Sequence, residues 1–220
     1  MVQVVWFKKD LRTFDHAPLH AASLAGPVLA LYVIEPAIWN EGDLSIRHYQ
    51  FVKESLMDLD IRLKKMGSRI HVALGEMEEV LDSIHETCGD FIMHSHMEHG
   101  LTHTYQRDLA VKAWMQAKGL QWTEYQGDAV LRGKYVGHRP TYMKSYLKPS
   151  IIPVPKTIKE ARPIPAQFGG IELFESFTPP GVPAESPVKG GESEAIRHAN
   201  AFFKNRFKKY QISISKPSES

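Results

Sequence analysis

The chain has 220 residues, of which 43% are hydrophobic, and its formal net charge is +2 at pH 7. This size allows a substantial buried core, and so small a charge favours neither nucleic acid nor a membrane surface as a general partner. The single cysteine, Cys88, excludes an internal disulfide framework and suits a reducing compartment. No apolar run approaches the roughly 18 residues of a membrane span, and charged residues begin at position 8, too early for a signal peptide. We therefore expect a soluble, cytoplasmic protein with one large domain and an appendage.

Short apolar runs alternate with helical patterns over the first 125 residues. The runs Val2–Phe7 and Val28–Ile34 are nearly continuous in apolar residues, which is typical of buried parallel strands. Further strands are predicted at 70–74, 91–95 and 120–125, and helices at 18–25, 45–66, 77–85 and 102–118. This order predicts an α/β fold, a doubly wound five-stranded parallel sheet of the Rossmann-like kind. Right-handed crossovers would then place all the carboxyl ends of the strands at one edge.

The segment directly after the first strand, "FKKDLRTFDHAPL", is unusually rich in charge. Loops at the carboxyl ends of strands line the ligand crevice of open α/β sheets. Lys8, Lys9, Asp10, Arg12 and Asp15 are therefore candidates for a binding site. The alternative interpretation is a solvated turn with internal salt bridges.

The stretch "WFKKDLRTFDHAPL" resembles the N-terminal signature of the DNA photolyase/cryptochrome family, commonly WFR-x-DLR-x-HDN-x-AL. Lys8 stands for the usual Arg, Phe14 for His and His16 for Asn. Three later stretches, "GPVLALYVIEPAIW", "DLSIRHYQFVKESLMDLD" and "SHMEHGLTHTYQRD", also resemble the family, in the correct order. The last of them is similar to the H-E-E-T-G-N-x-W-T-Y-x-R-D pattern of a bacterial photolyase-like branch.

This resemblance implies a two-part photoenzyme whose N-terminal α/β half carries an antenna pigment. A helical C-terminal half would bind FAD and the damaged DNA. Residues 1–131 are expected to form the antenna-binding domain, 132–190 a basic and then Pro-rich connector, and 191–220 the beginning of the FAD domain. Ten of the 14 prolines lie from Pro149 onward, which favours an extended connector. This chain alone is expected to be inactive in repair, and no catalytic residue is assigned to it.

The antenna pigment that the resemblance implies is flat, conjugated and polar at its edges. We expect methenyltetrahydrofolate, with a deazaflavin or FMN as alternatives, although the loop residues differ from the usual folate pattern. A pocket for such a pigment needs apolar walls and a few oriented polar groups. The candidate pigment-binding residues, all at or after strand ends, are Lys8, Asp10, Arg12, Glu35, Trp39, His96, Glu98 and Tyr105. Trp39 is the candidate for stacking on the pigment, with a place in the core as the equal alternative.

Two other functions remain open at the level of sequence. The stretch "HSHMEHGLTH" contains four histidines and Glu98, which could ligate zinc or iron in a hydrolase. A plain nucleotide-binding module is the other alternative, but the loop after the first strand contains no glycine and so lacks both phosphate-binding fingerprints.

Residues 132–162 contain eight basic residues and one acid. Within this segment Arg132, Lys134, Arg139, Lys144 and Lys148 alternate with tyrosines and could contact DNA phosphates. A solvated helix and linker that packs on the remainder of the protein is the favoured interpretation.

The two-part protein to which this chain would belong, here called the parent protein, is expected to repair cyclobutane pyrimidine dimers. A cryptochrome-type photoreceptor is the main alternative. The C-terminal stretch is predicted to be a helix with an apolar stripe and a basic face.

Overall fold

Residues 1–128, 130, 150–182 and 188–210 are described by a computed structural model of the chain. Five parallel strands form one sheet in the order β3-β2-β1-β4-β5. The strands are β1 (Val2–Phe7), β2 (Val28–Ile34), β3 (Ile70–Leu74), β4 (Phe91–His96) and β5 (Gln121–Tyr125). The predicted doubly wound α/β fold is confirmed, and the strand boundaries agree with the predictions to within one residue.

Helices connect the strands and cover both faces of the sheet. They are α1 (Ala17–Ala25), α2 (Pro36–Trp39), α3 (Ile46–Lys65), α4 (Met77–Cys88) and α5 (Thr102–Ala117). The long helix α3 begins where the sequence predicts, because the Ser45 backbone N–H donates to the His48 ring and the Ser45 side chain caps the first turn. It ends at Lys65, two residues before Gly67, whose positive φ of 91° favours glycine.

Alternate residues of each strand point to opposite faces, and this builds two separate cores. Val5 and Phe7 of β1 pack with α1 and α3, whereas Val4 and Trp6 pack with α4 and α5. Both cores consist almost entirely of aliphatic and aromatic side chains with little or no exposure to solvent. Within the described ranges, every helix is too short or too polar to span a lipid bilayer.

The Pro-rich segment 150–182 packs against the α/β body. The Val28 N–H donates to the Lys159 carbonyl at 2.7 Å, and the Val72 N–H donates to the Gly169 carbonyl at 3.0 Å. Phe174, in a short 3₁₀ helix (Ile171–Glu175), is 3% exposed and belongs to the core on the α3 side. Part of the predicted connector therefore contributes to the α/β core, while the three-segment division of the chain stays a prediction.

A terminal helix, α6 (Glu192–Ala201), follows this segment. It continues as a π-helical turn, Phe202–Arg206, and a 3₁₀ turn, Phe207–Lys209, so the predicted helix is real but irregular at its end. The basic stretch between Arg132 and Lys148 lies outside the described residues.

The strand order reverses between β1 and β4, because β2 and β3 extend to one side of β1 and β4 and β5 to the other. The loops that leave neighbouring strands in opposite directions open a crevice at this point, where open α/β sheets bind their ligands.

Candidate functional site

A cavity of about 440 Å³ lies at the carboxyl ends of β1 and β2, which is within the range of about 300–1,000 Å³ usual for small-molecule sites. Helix α6 contributes Gly191, Glu192 and Ala195 to its lining. The apolar wall is built from strand ends, from α2 and α3 and from the loops beside them: Trp6, Phe7, Leu11, Tyr32, Val33, Ile38, Trp39, Leu44, Phe51, Val52 and Leu101. We refer to this space as the apolar cavity.

A buried charge network forms the polar edge of the apolar cavity. Arg107 of α5 donates to Glu35 at 2.7 Å, to Glu98 at 2.5 Å and to Asp108 at 3.0 Å. The Lys8 ammonium lies 3.2 Å from the same Asp108 carboxylate. Three carboxylates and two cations are thus held together with little access to water. The ionised form of each group is therefore stabilised by the opposite charges around it.

The network shifts the pKa of its carboxylates in opposite directions. Burial raises the pKa of Glu35 to about 7, although Arg107 opposes this. Burial also acts to raise the pKa of Glu98, but the charges of Arg107, Lys9 and Lys8 outweigh it and the pKa lies below its usual value. The second carboxylate oxygen of Glu35, Oε1, is buried without a hydrogen-bond partner among the described residues. A ligand with an N–H or O–H at its edge would satisfy this oxygen.

Cations also lie against the indole ring of Trp6. The Arg107 guanidinium carbon is 4.6 Å from the ring centroid and the Lys8 ammonium is 4.4 Å away. Such contacts fix the ring and the cations relative to one another. The cavity therefore has a rigid aromatic wall before any ligand enters.

Asp10 is held between two histidines beside this network. One oxygen, Oδ2, is 2.8 Å from His16 Nε2 and 2.6 Å from His96 Nδ1, and the other accepts from the Lys8 backbone N–H at 2.8 Å. Burial acts to raise the pKa of Asp10, but the hydrogen bonds from His16 and His96 outweigh it and hold the pKa well below its usual value. Asp10 is thus an ionised carboxylate that fixes the loop after β1 to the end of β4.

A second, polar cavity of about 160 Å³ adjoins this loop. Four residues line both cavities, namely Lys8, Lys9, Arg12 and Glu98. The remaining lining residues of the polar cavity are Asp10, His96, Met97, His99, Gly127 and Asp128. The two cavities are therefore direct neighbours.

The family model described as "DNA photolyase" matches residues 3–163, which is more than half of the chain. The chain belongs to the DNA photolyase family. Proteins of this family bind a light-harvesting chromophore and FAD. The family membership that the sequence resemblance predicted is thereby confirmed.

Similar sequences include both photolyases and cryptochromes. Cryptochrome-1 of Arabidopsis thaliana is 31% identical over 134 residues, covering 57% of this chain and 18% of that protein. The deoxyribodipyrimidine photo-lyase of Agrobacterium fabrum is 37% identical over 92 residues, covering 41% of this chain and 19% of that protein.

Two solved structures share the fold. A bacterial class III photolyase from Agrobacterium tumefaciens matches 95% of this chain and 46% of its own, with a TM-score of 0.73 and 24% identity. A Synechocystis cryptochrome matches 96% of this chain and 48% of its own, with a TM-score of 0.77 and 19% identity. The chain thus spans about half the length of these photolyase-family structures.

The structure gathers seven of the eight predicted pigment-binding residues around the two cavities. Lys8, Arg12, Glu35, Trp39 and Glu98 line the apolar cavity, while Asp10 and His96 line the polar one. Tyr105 lines neither cavity and is 46% exposed.

Trp39 lies in the core and also in the wall of the apolar cavity, and its stacking on a pigment stays a prediction. The indole is 4% exposed, belongs to the core on the α3 side and packs edge-on against Tyr49 at 4.9 Å. It also lines the apolar cavity. Trp39 is therefore a core residue that supplies part of the cavity wall.

Arg107 and Asp108 were not among the predicted site residues, although they are the Arg-Asp of the "THTYQRD" stretch that carries the family resemblance. They lie within helix α5 rather than in a loop that follows a strand. The prediction considered only residues in such loops and therefore missed them. Val52 was missed for a similar reason, because its place in the apolar stripe of α3 resembles an ordinary core position, and Phe51, which is 41% exposed, lies outside that stripe. The motif itself was the signal for Arg107.

The histidines of the predicted metal site do not converge. Each has a separate partner: His94 bonds Gln3 and Tyr125, His96 bonds Asp10, His99 bonds Asp128 and His103 pairs with Glu41. The hypothesis of a metal centre built from this stretch therefore has no support in the described residues.

A different trio, Asp10, His16 and His96, brings three possible metal-ligand atoms within 4.8 Å of one another. However, the Leu19 N–H donates to Nδ1 of His16, so the ring proton of neutral His16 lies on Nε2 and points at Asp10. A metal at Nε2 would require His16 to lose both ring protons. The geometry thus favours a hydrogen-bonded trio over a metal site.

Proposed function

We propose that this chain is the antenna domain of a photolyase-type protein and that the apolar cavity holds its pigment. The pigment would absorb light and transfer the excitation to an FAD held by a helical domain outside this chain. The single observation that carries the proposal is the unpartnered Glu35 Oε1, buried at the polar edge of a cavity otherwise walled by aromatic and aliphatic side chains. A flat, conjugated ring with a hydrogen-bond donor at its edge is the ligand that such a site fits.

The residues of the site would divide the binding task. Trp6, Tyr32 and Trp39 would contact the ring, and Glu35 would accept a hydrogen bond from its polar edge. Arg107 would keep Glu35 oriented through its 2.7 Å hydrogen bond. The acceptor oxygen of Glu35 and the size of the cavity suit the donor-bearing edge of a flavin, a deazaflavin or the pterin part of methenyltetrahydrofolate.

The parent activity that we propose is light-driven repair of cyclobutane pyrimidine dimers in DNA, in the cytoplasm. The family membership and the match to the Agrobacterium fabrum photo-lyase support it. In such a reaction the FAD, held outside this chain, would supply the redox chemistry, and the pigment of this chain would only supply excitation. This chain alone would then be inactive in repair, with the FAD domain and damaged DNA as its partners.

A photoreceptor without repair activity is the second candidate, favoured by the match to Cryptochrome-1, which covers more of this chain than the match to the photo-lyase does. Both candidates use the same antenna domain. Assay of dimer repair in light by the parent protein distinguishes them, since a photoreceptor would show none.

The antenna proposal is tested by absorption titration of the purified chain with methenyltetrahydrofolate, a deazaflavin and riboflavin. We expect a saturable shift of the visible band for at least one pigment. The variant Glu35→Gln, which converts an acceptor oxygen to an amide, should weaken binding, whereas Glu86→Gln on the exposed side of α4 should not. Failure of all three pigments to bind would contradict the proposal.

A further inference from the structure

Helix α6 is buried at its start and exposed along the turns that follow. Residues 190–192 are buried, whereas residues 195–200 are exposed. Hydrogen bonds from residues 190–193 connect this part of the chain to the α/β body, and we refer to these four residues as the clasp. The position of α6 on the body therefore depends on the clasp.

Two glycines allow the clasp to approach α3 closely. A Cβ at Gly190 would overlap the Phe51 carbonyl oxygen and would lie 2.5 Å from Ser55 Oγ. Gly191 has a φ of 115°, which residues with a side chain adopt only with strain. The Gly190 N–H donates to Glu54 of α3 at 2.8 Å. A side chain at Gly190 would therefore displace the clasp from α3.

The other half of the clasp makes hydrogen bonds to two separate parts of the body. The Ser193 N–H and hydroxyl donate to Asp58 of α3 at 3.0 and 2.6 Å. The buried Glu192 carboxylate accepts from the Thr13 N–H at 2.9 Å and from the Phe14 N–H at 3.2 Å, both in the loop after β1. The clasp thus bridges α3 and that loop.

The elements that the clasp bridges also form walls of the apolar cavity. The loop after β1, helix α3 and the start of α6 all contribute to its lining. The lining residues from these three elements include Leu11, Arg12, Val52, Gly191, Glu192 and Ala195. A ligand in this cavity would therefore contact the start of α6 only while the clasp is closed.

We propose that the clasp and the pigment stabilise one another, so that filling the apolar cavity fixes α6 to the body. This inference rests on the proposed antenna function and adds a regulated element to that site. In the open state, the hydrogen bonds of Glu192 and Ser193 to the body are broken and the pigment loses its contacts with α6. A ligand favours the state that it binds more tightly, and the effect is reciprocal. The exposed part of α6 then changes position according to whether the cavity is filled.

The test opens the clasp at two positions that do not line the apolar cavity. Gly190→Ala forces the clasp away from α3, and Asp58→Ala removes the acceptor of Ser193. Riboflavin, a deazaflavin and methenyltetrahydrofolate are the probes, and any of them that the native chain binds should bind both variants about tenfold more weakly. Asn200→Ala, on the exposed part of α6, should bind like the native chain. Circular dichroism establishes that all three variants are folded.

Hydrogen exchange measures the same coupling in the reverse direction. Saturating pigment should slow exchange of the Thr13, Phe14 and Ser193 amides by at least the factor by which Gly190→Ala weakens binding, because the coupling is reciprocal. The Gly89 amide at the end of α4, which lies outside the cavity lining, should exchange at the same rate with and without pigment.

The outcomes separate this proposal from the antenna function. Native-like pigment binding by folded Gly190→Ala and Asp58→Ala would overturn the coupling and leave the antenna function standing. Pigment that binds without slowing exchange of the three clasp-bonded amides would overturn the coupling in the same way. If the native chain binds none of the three pigments, the coupling and the antenna function are both contradicted.

Discussion

The two faces of the sheet and the edge where its strands end are stabilised in different ways. The faces bury aliphatic and aromatic side chains against one another, as Leu59 and Leu63 of α3 do with no exposure to solvent. The edge buries charges instead, with Arg107 at the centre of three carboxylates. The faces specify the fold through hydrophobic burial, whereas the edge maintains a prearranged, costly set of charges, which the proposed pigment would use.

The largest effect should come from Arg107→Met, which removes the cation from the charge network. Glu35 and Glu98 would then lose their guanidinium partner while still buried, and loss of one partner of a buried ion pair costs about 3–5 kcal/mol. Urea denaturation of the variant measures this loss. The triple variant that adds Glu35→Gln and Glu98→Gln should recover much of it, and no recovery would show that lost packing, rather than unpaired charge, dominates.

Leu59→Ala should destabilise the α3 core by about 2–5 kcal/mol, because it leaves a cavity among fully buried side chains. Leu24→Ala provides the matched control, since Leu24 of α1 is 77% exposed. The same denaturation experiment compares them. Similar losses at both positions would contradict the assignment of Leu59 to the core.

The raised pKa of Glu35 predicts a specific pH dependence of stability. A carboxyl whose pKa is about 7 in the folded chain and near 4.5 in the unfolded chain contributes stability below pH 4.5 that is lost as pH rises through 7. Glu35→Gln, which mimics the protonated form, should match the native chain near pH 4.5 and exceed it by about 3 kcal/mol at pH 8. Urea midpoints at the two pH values measure this, and a constant difference would refute the assignment.

The smallest predicted effect concerns the link between α6 and the loop after β1. The buried Glu192 carboxylate accepts from the Thr13 N–H at 2.9 Å, the Thr13 hydroxyl at 3.0 Å and the Phe14 N–H at 3.2 Å. Glu192→Ala should cost about 1–3 kcal/mol, since it leaves buried donors unsatisfied. It should also speed hydrogen exchange of these two amides, whereas Glu194→Ala, on the same helix but paired only with exposed residues, should leave exchange unchanged.

Most of the fold was predictable because hydrophobic periodicity records burial directly. The runs at Val2–Phe7 and Val28–Ile34 gave the strand boundaries, and the apolar spacing after Ser45 gave α3. The packing of Phe174 into the core was missed, because a Pro-rich segment shows no periodicity that would indicate it. Its burial follows from tertiary contacts alone.

The candidate site was predictable only in part. Strand-end position identified Glu35 and Glu98 correctly as cavity residues, but the same reasoning included Tyr105, which α5 turns outward. The direction in which a helical residue points depends on how the helix packs. Helix α5 has no strong apolar stripe in its sequence, so the sequence does not show which of its residues face solvent. The pairing of Arg107 with three carboxylates likewise depends on distances between separate segments.

The most direct test of the account fills the apolar cavity without changing its charges. Val52, half-buried on α3, lines this cavity, whereas Met57 on the same helix is 50% exposed and does not. The account predicts that Val52→Trp abolishes the pigment absorption shift, while Met57→Trp binds pigment like the native chain and both variants keep the native circular dichroism. Undiminished pigment binding by folded Val52→Trp would contradict the claim that this cavity is the antenna site.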